Sequence, residues 1–187
     1  MDNLDIALVA TVDNFLAPYR SDLGTDATMY RNHVLRVLFL ADALTAEHRR
    51  ISPEYPSPSS DRDFVLAATF HDLGIWTAGT FDYLQPSMAL AAEHATRSGG
   101  SYDIELITTM IAQHHKLRAA ASPSSFVEIL RRADAIDVSG GMLYRCYRPY
   151  RVAVRHYPTI GFHRQLIRLT ARRWRTHPTS PLPMLRW

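Results

Sequence analysis

Seven side chains in this sequence could do chemistry together: His33, His71, Asp72, His94, His114, His115 and Asp134. Imidazole and carboxylate groups both bind divalent first-row metals, and a carboxylate can bridge two ions. The intervals between them put His or Asp on each of five consecutive predicted helices. His71 and Asp72 are the pair around which the rest is arranged. They fall late in the stretch 63–77, DFVLAATFHDLGIWT, where Phe64, Val65, Leu66, Ala67, Ala68 and Phe70 make a helix that is apolar almost all round. A helix of that kind lies in a core, and there two ionisable side chains are costly unless they are paired or bound to metal. Gly74 is placed to end the helix in a left-handed turn. The other histidines, His48, His156, His163 and His177, are read as ordinary surface or core residues.

The elements that must position these groups read as helix after helix. Residues 3–17 carry an apolar stripe near helical period and stop at Pro18. A second helix, about 26–48, is capped by Thr25 or Asp26, carries His33, and buries Tyr30, Val34, Val37, Leu38, Ala41 and Leu44. Residues 51–60, ISPEYPSPSS, form a loop, and Asp61 or Asp63 then starts the helix that ends in His71 and Asp72. Residues 75–85 are read as irregular. Pro86 opens a helix of about 86–98 bearing His94, closed by Gly99 and Gly100. Ser101 caps a helix of about 102–118 with His114 and His115 near its end. Ser122 starts another, about 123–138, which holds Asp134 and is closed by Gly140 and Gly141. Aromatic and Arg-rich turns lead to Pro158, a helix follows near 160–175, and the tail HPTSPLPMLRW is extended. With no internal repeat and no strand-rich region, the fold class is all-α. The reading is one domain over 1–187, with a core of about 26–140 and a basic extension, 141–187.

The 187 residues, 47% hydrophobic and 21% charged, suit a globular domain with a sizeable core. A lone cysteine, Cys146, excludes an intramolecular disulfide framework and fits a reducing compartment. The N-terminus lacks a basic n-region and no apolar run reaches membrane-spanning length, so a cytoplasmic protein with no membrane partner is expected. The net charge of +3 hides an asymmetry. Residues 1–137 hold all 18 acids against 11 bases, whereas 138–187 hold ten arginines and no acid. Such a segment folds back on the acidic body or rims a site for an anion. No groove-reading motif supports a nucleic-acid partner.

The order His33…His71-Asp72…Asp134, within the words YRNHVLRV, ATFHDLGIWT, IAQHHK and RRADAIDVS, resembles the H…HD…D signature of the HD-domain metal-dependent phosphohydrolase superfamily over about residues 28–140. The resemblance implies an HD-type helical bundle in which His33, His71, Asp72 and Asp134 hold a first divalent ion, with Asp137 the alternative to Asp134. Asp72 would bridge to a second ion held by His94 and His114, where dinuclear members of the superfamily add ligands; His115 is the alternative to His114. One or two ions of Fe, Mn, Zn, Ni or Co are implied. The implied activity is hydrolysis of a small anionic phosphorylated substrate by a metal-activated water. Asp72, His115 and Lys116 would be catalytic, and Lys116 and Arg118 would hold the phosphate. Arg118 shares the helical face of His114 one turn on, whereas Lys116 lies farther round. Arg145, Arg148 and Arg151 would form a basic rim. The same ligands suit two other chemistries of related branches: a mixed-valent di-iron oxygenase cleaving a C–C or C–P bond, and a cyanamide-hydratase-like lyase at a single metal. No lysine follows the His-Asp pair, and there is no GYP motif.

Overall fold

The computed structural model describes residues 4–52, 54–80, 82–116, 118–119 and 124–176, with the side chains of 47, 166, 169, 172 and 176 outside that description. The described residues form helices α1 (Ile6–Leu16), α2 (Arg20–Leu23), α3 (Ala27–Ile51), α4 (Arg62–Phe70), α5 (Gly74–Thr77), α6 (Leu84–Arg97), α7 (Ile104–Gln113), α8 (Ser125–Val138), α9 (Tyr147–His156) and α10 (Phe162–Thr176). Among these residues there is no strand, only an isolated bridge residue at Lys116. The all-α expectation therefore holds. No described helix is long and apolar enough to cross a membrane.

The long helix α3 is the axis. Between Met29 and Asp42 it is buried on nearly every side, and it packs on α8, α9, α1 and α4. Tyr30, Val34, Val37, Leu38 and Ala41 are in the core as the periodicity predicts, and Leu44 packs against its edge. Helix α4 runs through the same core with Phe64 to Phe70 all buried. Asp61, not Asp63, is its cap, accepting from the Phe64 amide at 2.9 Å. Helix α7 lies against α6, α4 and α8 and is capped by Asp103, which accepts from the Leu106 amide at 2.9 Å, rather than by Ser101. Ser124 caps α8; the expected cap at Ser122 lies outside the described residues. Glycines with positive φ close α6 and α8 as expected, at Gly99 and at Gly140 and Gly141.

Residues 75–85, read as irregular, include most of α5 and the start of α6, which begins at Leu84 and not at Pro86. Three further expectations need correction. The α7 helix stops at Gln113, so His114 and His115 sit in the turn beyond it rather than on a helix reaching 118. Residues read as turns after Gly141 include a regular helix, α9. Its Pro149 is the third residue, inside the first turn, where no intrahelical N–H bond is lost. Arg148, Arg151 and Arg155 share its exposed side while Ala153 is buried. The expected extended tail from His177 onward lies outside the described residues.

Gly74 is the third correction. It does not terminate α4 in a left-handed turn; it begins α5, and its φ is not positive. It is required for a different reason. A Cβ there would stand 2.5 Å from the Tyr83 carbonyl oxygen and 2.9 Å from Ser87 Oγ, and the Gly74 amide donates to that same Ser87 Oγ at 2.9 Å. The close approach holds the His71–Asp72 turn against the start of α6. Gly74→Ala is therefore expected to cost about 3 kcal/mol, because a buried backbone oxygen must move. Gly79→Ala, at φ +61 in open space, should cost only about 1 kcal/mol. Urea denaturation of the two variants measures the difference.

Candidate metal centre

Two of the candidate histidines are positioned by the same local device. His71 follows the last residue of α4 and His114 follows the last residue of α7. The final carbonyls of a helix lack intrahelical partners. His71 Nδ1 donates to the Ala68 carbonyl at 2.8 Å, and His114 Nδ1 donates to that of Ile111 at 2.7 Å. Each bond fixes the tautomer, so that Nε2 is the atom turned inward with a lone pair. His33 sits mid-helix on α3, where no such carbonyl is free. It uses a carboxylate instead, with Nδ1 2.8 Å from Asp137 Oδ2.

The inward atoms converge. His33 Nε2 and His71 Nε2 are 3.1 Å apart. Asp134 Oδ1 is 3.5 Å from both, and Asp72 Oδ2 is 3.7 Å from His33 Nε2 and 3.5 Å from His71 Nε2. All four residues are buried and offer ligand atoms within 4.8 Å of one another. Two ligands each about 2.1 Å from one ion stand roughly 3.0–3.4 Å apart in ordinary coordination geometries, close to these spacings. A second group shares Asp72: its Oδ1 lies 3.3 Å from His114 Nε2 and 3.9 Å from His115 Nε2.

Asp72 Oδ1, Asp134 Oδ1 and His114 Nε2 are buried and make no hydrogen bond among the described residues. With Nδ1 of His33, His71 and His114 protonated toward outer acceptors, the inward atoms are all acceptors facing acceptors. Buried polar atoms left this way are costly, and a divalent cation is the species that satisfies nitrogen and oxygen lone pairs together. The residues present fit such an ion.

Electrostatics agree. Burial pushes the Asp72 carboxyl up, but the adjacent His71 and His114 outweigh it and hold the group well below the usual carboxylate range. Asp134 is held down in the same way, chiefly by His71. Burial alone would push His71 down, yet Asp72 and Asp134 together raise it to about 9. Without a cation, a proton on His71 supplies the positive charge the carboxylates demand.

His115 has a different environment. Burial and the neighbouring His114 press its imidazole down to about 4. The Tyr83 hydroxyl is hydrogen-bonded to its Nε2, and Tyr83 itself is buried and raised well above the ordinary tyrosine range. His115 Nδ1 faces Asp134 Oδ2 at 3.8 Å.

The structure thus brings together His33, His71, Asp72, His114, His115 and Asp134, and it does not bring His94. On α6, His94 packs edge-on against Phe15 at 4.6 Å and beside Phe70 at 5.4 Å. It belongs to the seam with α1, away from the cluster, and the place expected for it is taken by His115. Asp137 does not compete with Asp134; it supports His33 from behind and receives Arg36 through Nε at 2.6 Å and Nη2 at 2.8 Å. Lys116 is half-buried just after His115, and Arg118 is exposed. The helical-face argument for Arg118 fails because α7 has already ended at Gln113. Arg145, Arg148 and Arg151 are exposed. Sequence reasoning missed Tyr83 and Arg36. Arg36 had a signal: it is the one charged residue in the buried run HVLRVLFLA, which demands a carboxylate partner.

Because His71 keeps its proton up to about 9, a divalent ion binding at pH 7 must displace about one proton. Apparent affinity should then rise about tenfold per pH unit until roughly pH 9. Titration calorimetry in buffers of differing ionisation enthalpy measures the released proton, and a pH-independent affinity would contradict this arrangement.

The HD domain family matches residues 30–139, more than half of the chain. No curated protein and no solved structure matches it. The matched segment contains His33, His71, Asp72, His114, His115 and Asp134. On the match and the buried His/Asp cluster together, the chain belongs to the HD domain family, whose members are generally metal-dependent hydrolases.

Proposed function

We propose that this chain is a metal-dependent phosphohydrolase acting on a small anionic phosphorylated substrate. The observation that carries the reading is Asp72, whose two oxygens serve two adjoining groups of buried ligand atoms. Divalent ions held by His33, His71, Asp72 and Asp134, and by Asp72, His114 and His115, would acidify a water and draw charge from a phosphoryl oxygen. The chain's own residues do the rest. Ala68, Ile111 and Asp137 fix the inward orientation of three imidazoles. Where His115 is left off an ion, its imidazole, pressed down by burial and the neighbouring His114, and the Tyr83 hydroxyl bonded to it would form a pair able to move a proton beside Asp72. Lys116, directly after His115 and half-buried, would hold the phosphate. Exposed Arg145, Arg148 and Arg151 supply a field that draws anions.

The shared Asp72 also supports a second reading, a di-iron oxygenase on the same residues. The deciding experiment is metal content and electronic spectrum of anaerobically purified protein, with phosphate release from small phosphomonoesters assayed in parallel. Phosphate release that disappears in Asp72→Ala supports the hydrolase. Two irons in mixed valence, oxygen uptake and no phosphate release would replace it with the oxygenase.

For the hydrolase, Lys116→Ala should weaken phosphate binding by about tenfold or more, the equivalent of one charge-assisted bond of about 1.5–3 kcal/mol. Arg118→Ala, on an exposed side chain, should change it less than threefold, a loss of under about 0.7 kcal/mol. Inhibition by inorganic phosphate measures both.

A further inference from the structure

The basic extension after residue 140 lies outside the segment matched by the family, yet it reaches the back of the first candidate ligand. The turn joining α9 to α10 is fastened to α3 and α8 by polar contacts. Asn32 Nδ2 donates to the Pro158 carbonyl at 2.9 Å. Arg36 Nη1 donates to the carbonyls of Tyr157 and Pro158 at 3.1 and 3.3 Å. His163 Nε2 meets the Asp137 carbonyl at 3.1 Å. At the centre of these contacts is Phe162, which is buried. Its ring stacks on the His33 imidazole with centroids 4.4 Å apart and planes inclined by 17°. The Arg36 guanidinium lies over the same ring, 5.3 Å from its centroid.

These contacts complete the constraint on His33. The Asp137 hydrogen bond holds the imidazole at one atom, Nδ1, and by itself leaves some tilt of the ring plane. A flat ring stacked on its face removes that freedom, and only a near-parallel partner does so while keeping van der Waals contact over the whole ring. Gly161, at φ +79, makes the turn that sets Phe162 into place. We propose that Phe162 is a positioning residue for His33, so that the C-terminal extension is a working wall of the metal centre. The proposal rests on the reading of His33 as a metal ligand. Groups that orient a ligating histidine typically change metal affinity by 10–100-fold when removed, and the stacked ring restrains the tilt that the Asp137 bond leaves.

The test uses the full chain loaded with Co²⁺ alone, whose visible absorption reports the ligand geometry. Affinity is read by competition with a chelator, and stability of the metal-free chain by urea denaturation. Phe162→Ala should bind Co²⁺ at least tenfold more weakly and alter the absorption envelope. Phe162→Leu, which keeps apolar cover without a flat face, should fall between it and the parent. Leu16→Ala, a core truncation on α1, should lose stability and keep the parent's affinity and spectrum. Phe162→Ala with unchanged affinity and spectrum overturns the proposal, as does an equal loss of affinity in Leu16→Ala. If Phe162→Ala does not fold, Phe162→Leu decides: a weaker affinity with a changed spectrum supports the role, and parent behaviour overturns it. Failure of the parent chain to bind Co²⁺ overturns the metal reading itself, a result distinct from the other two.

Discussion

The whole molecule depends on keeping several lone pairs pointed at one another in a buried place. His33 Nε2 and His71 Nε2 are 3.1 Å apart, and two carboxylate oxygens stand within 3.7 Å of them. No neutral hydrogen-bonding scheme satisfies this set, because the imidazole protons have been drawn off to outer acceptors. The arrangement needs positive charge at its centre, from a proton or from a metal ion. It also needs rigid supports that resist the repulsion, since in a low-dielectric interior an unpaired polar group is costly. The helix ends at His71 and His114, the close approach at Gly74 and the Arg36–Asp137 pair are those supports.

The Arg36–Asp137 pair shows how support and fold are joined. Both side chains are fully buried, and a buried ion pair contributes little net stability by itself, though leaving one partner alone costs several kcal/mol. Here the guanidinium spends two bonds on Asp137 and one group on the carbonyls of Tyr157 and Pro158. Asp137 in turn accepts from His33 and is held down as a carboxylate, since His33 and Arg36 outweigh its burial. One charge pair therefore orients a candidate ligand on α3, locks α8 to α3, and anchors the turn before α10. Its specificity is geometric: no apolar pair of equal volume could make these three connections at once.

Much of the centre was legible because its chemistry is local in sequence. An apolar helix running into His71-Asp72 announces a buried polar pair, and Asp134 recurs at an apolar helical position on α8. His33 opens the apolar run HVLRVLFLA on α3. What was not legible depends on where helices stop and which way they turn. His94 sits on an Ala-rich helix that could approach the centre, yet α6 turns that face to Phe15 and Phe70. Nothing along α6 itself distinguishes the two orientations. No helical face separates His114 from His115, because α7 ends at Gln113; in the turn both histidines point to Asp72. Asp137 and Phe162 act through contacts 104 and 129 positions from His33 in sequence, a range over which no periodicity informs.

A centre with His115 in place of His94 carries the same formal charge. The gathered set, His33, His71, Asp72, His114, His115 and Asp134, contains two carboxylates and four imidazoles, and an imidazole must be neutral to ligate an ion. Asp137 adds no net charge, because Arg36 neutralises it at hydrogen-bond distance. Two divalent ions bring about +4 against about −2, so under the proposed reading the centre keeps roughly +2; a single ion leaves it near neutral. The number of ions thus decides how strongly the site prefers an anion, and that number turns on His115. Its Nε2 is hydrogen-bonded to the Tyr83 hydroxyl, the same atom that faces Asp72 Oδ1. A second ion binding through that nitrogen must displace the Tyr83 hydrogen bond, whereas one binding through Nδ1, on the Asp134 side, leaves it in place. Charge at the centre, and with it the pull on a phosphorylated substrate, is therefore coupled to one buried hydroxyl on the segment that Gly74 packs against.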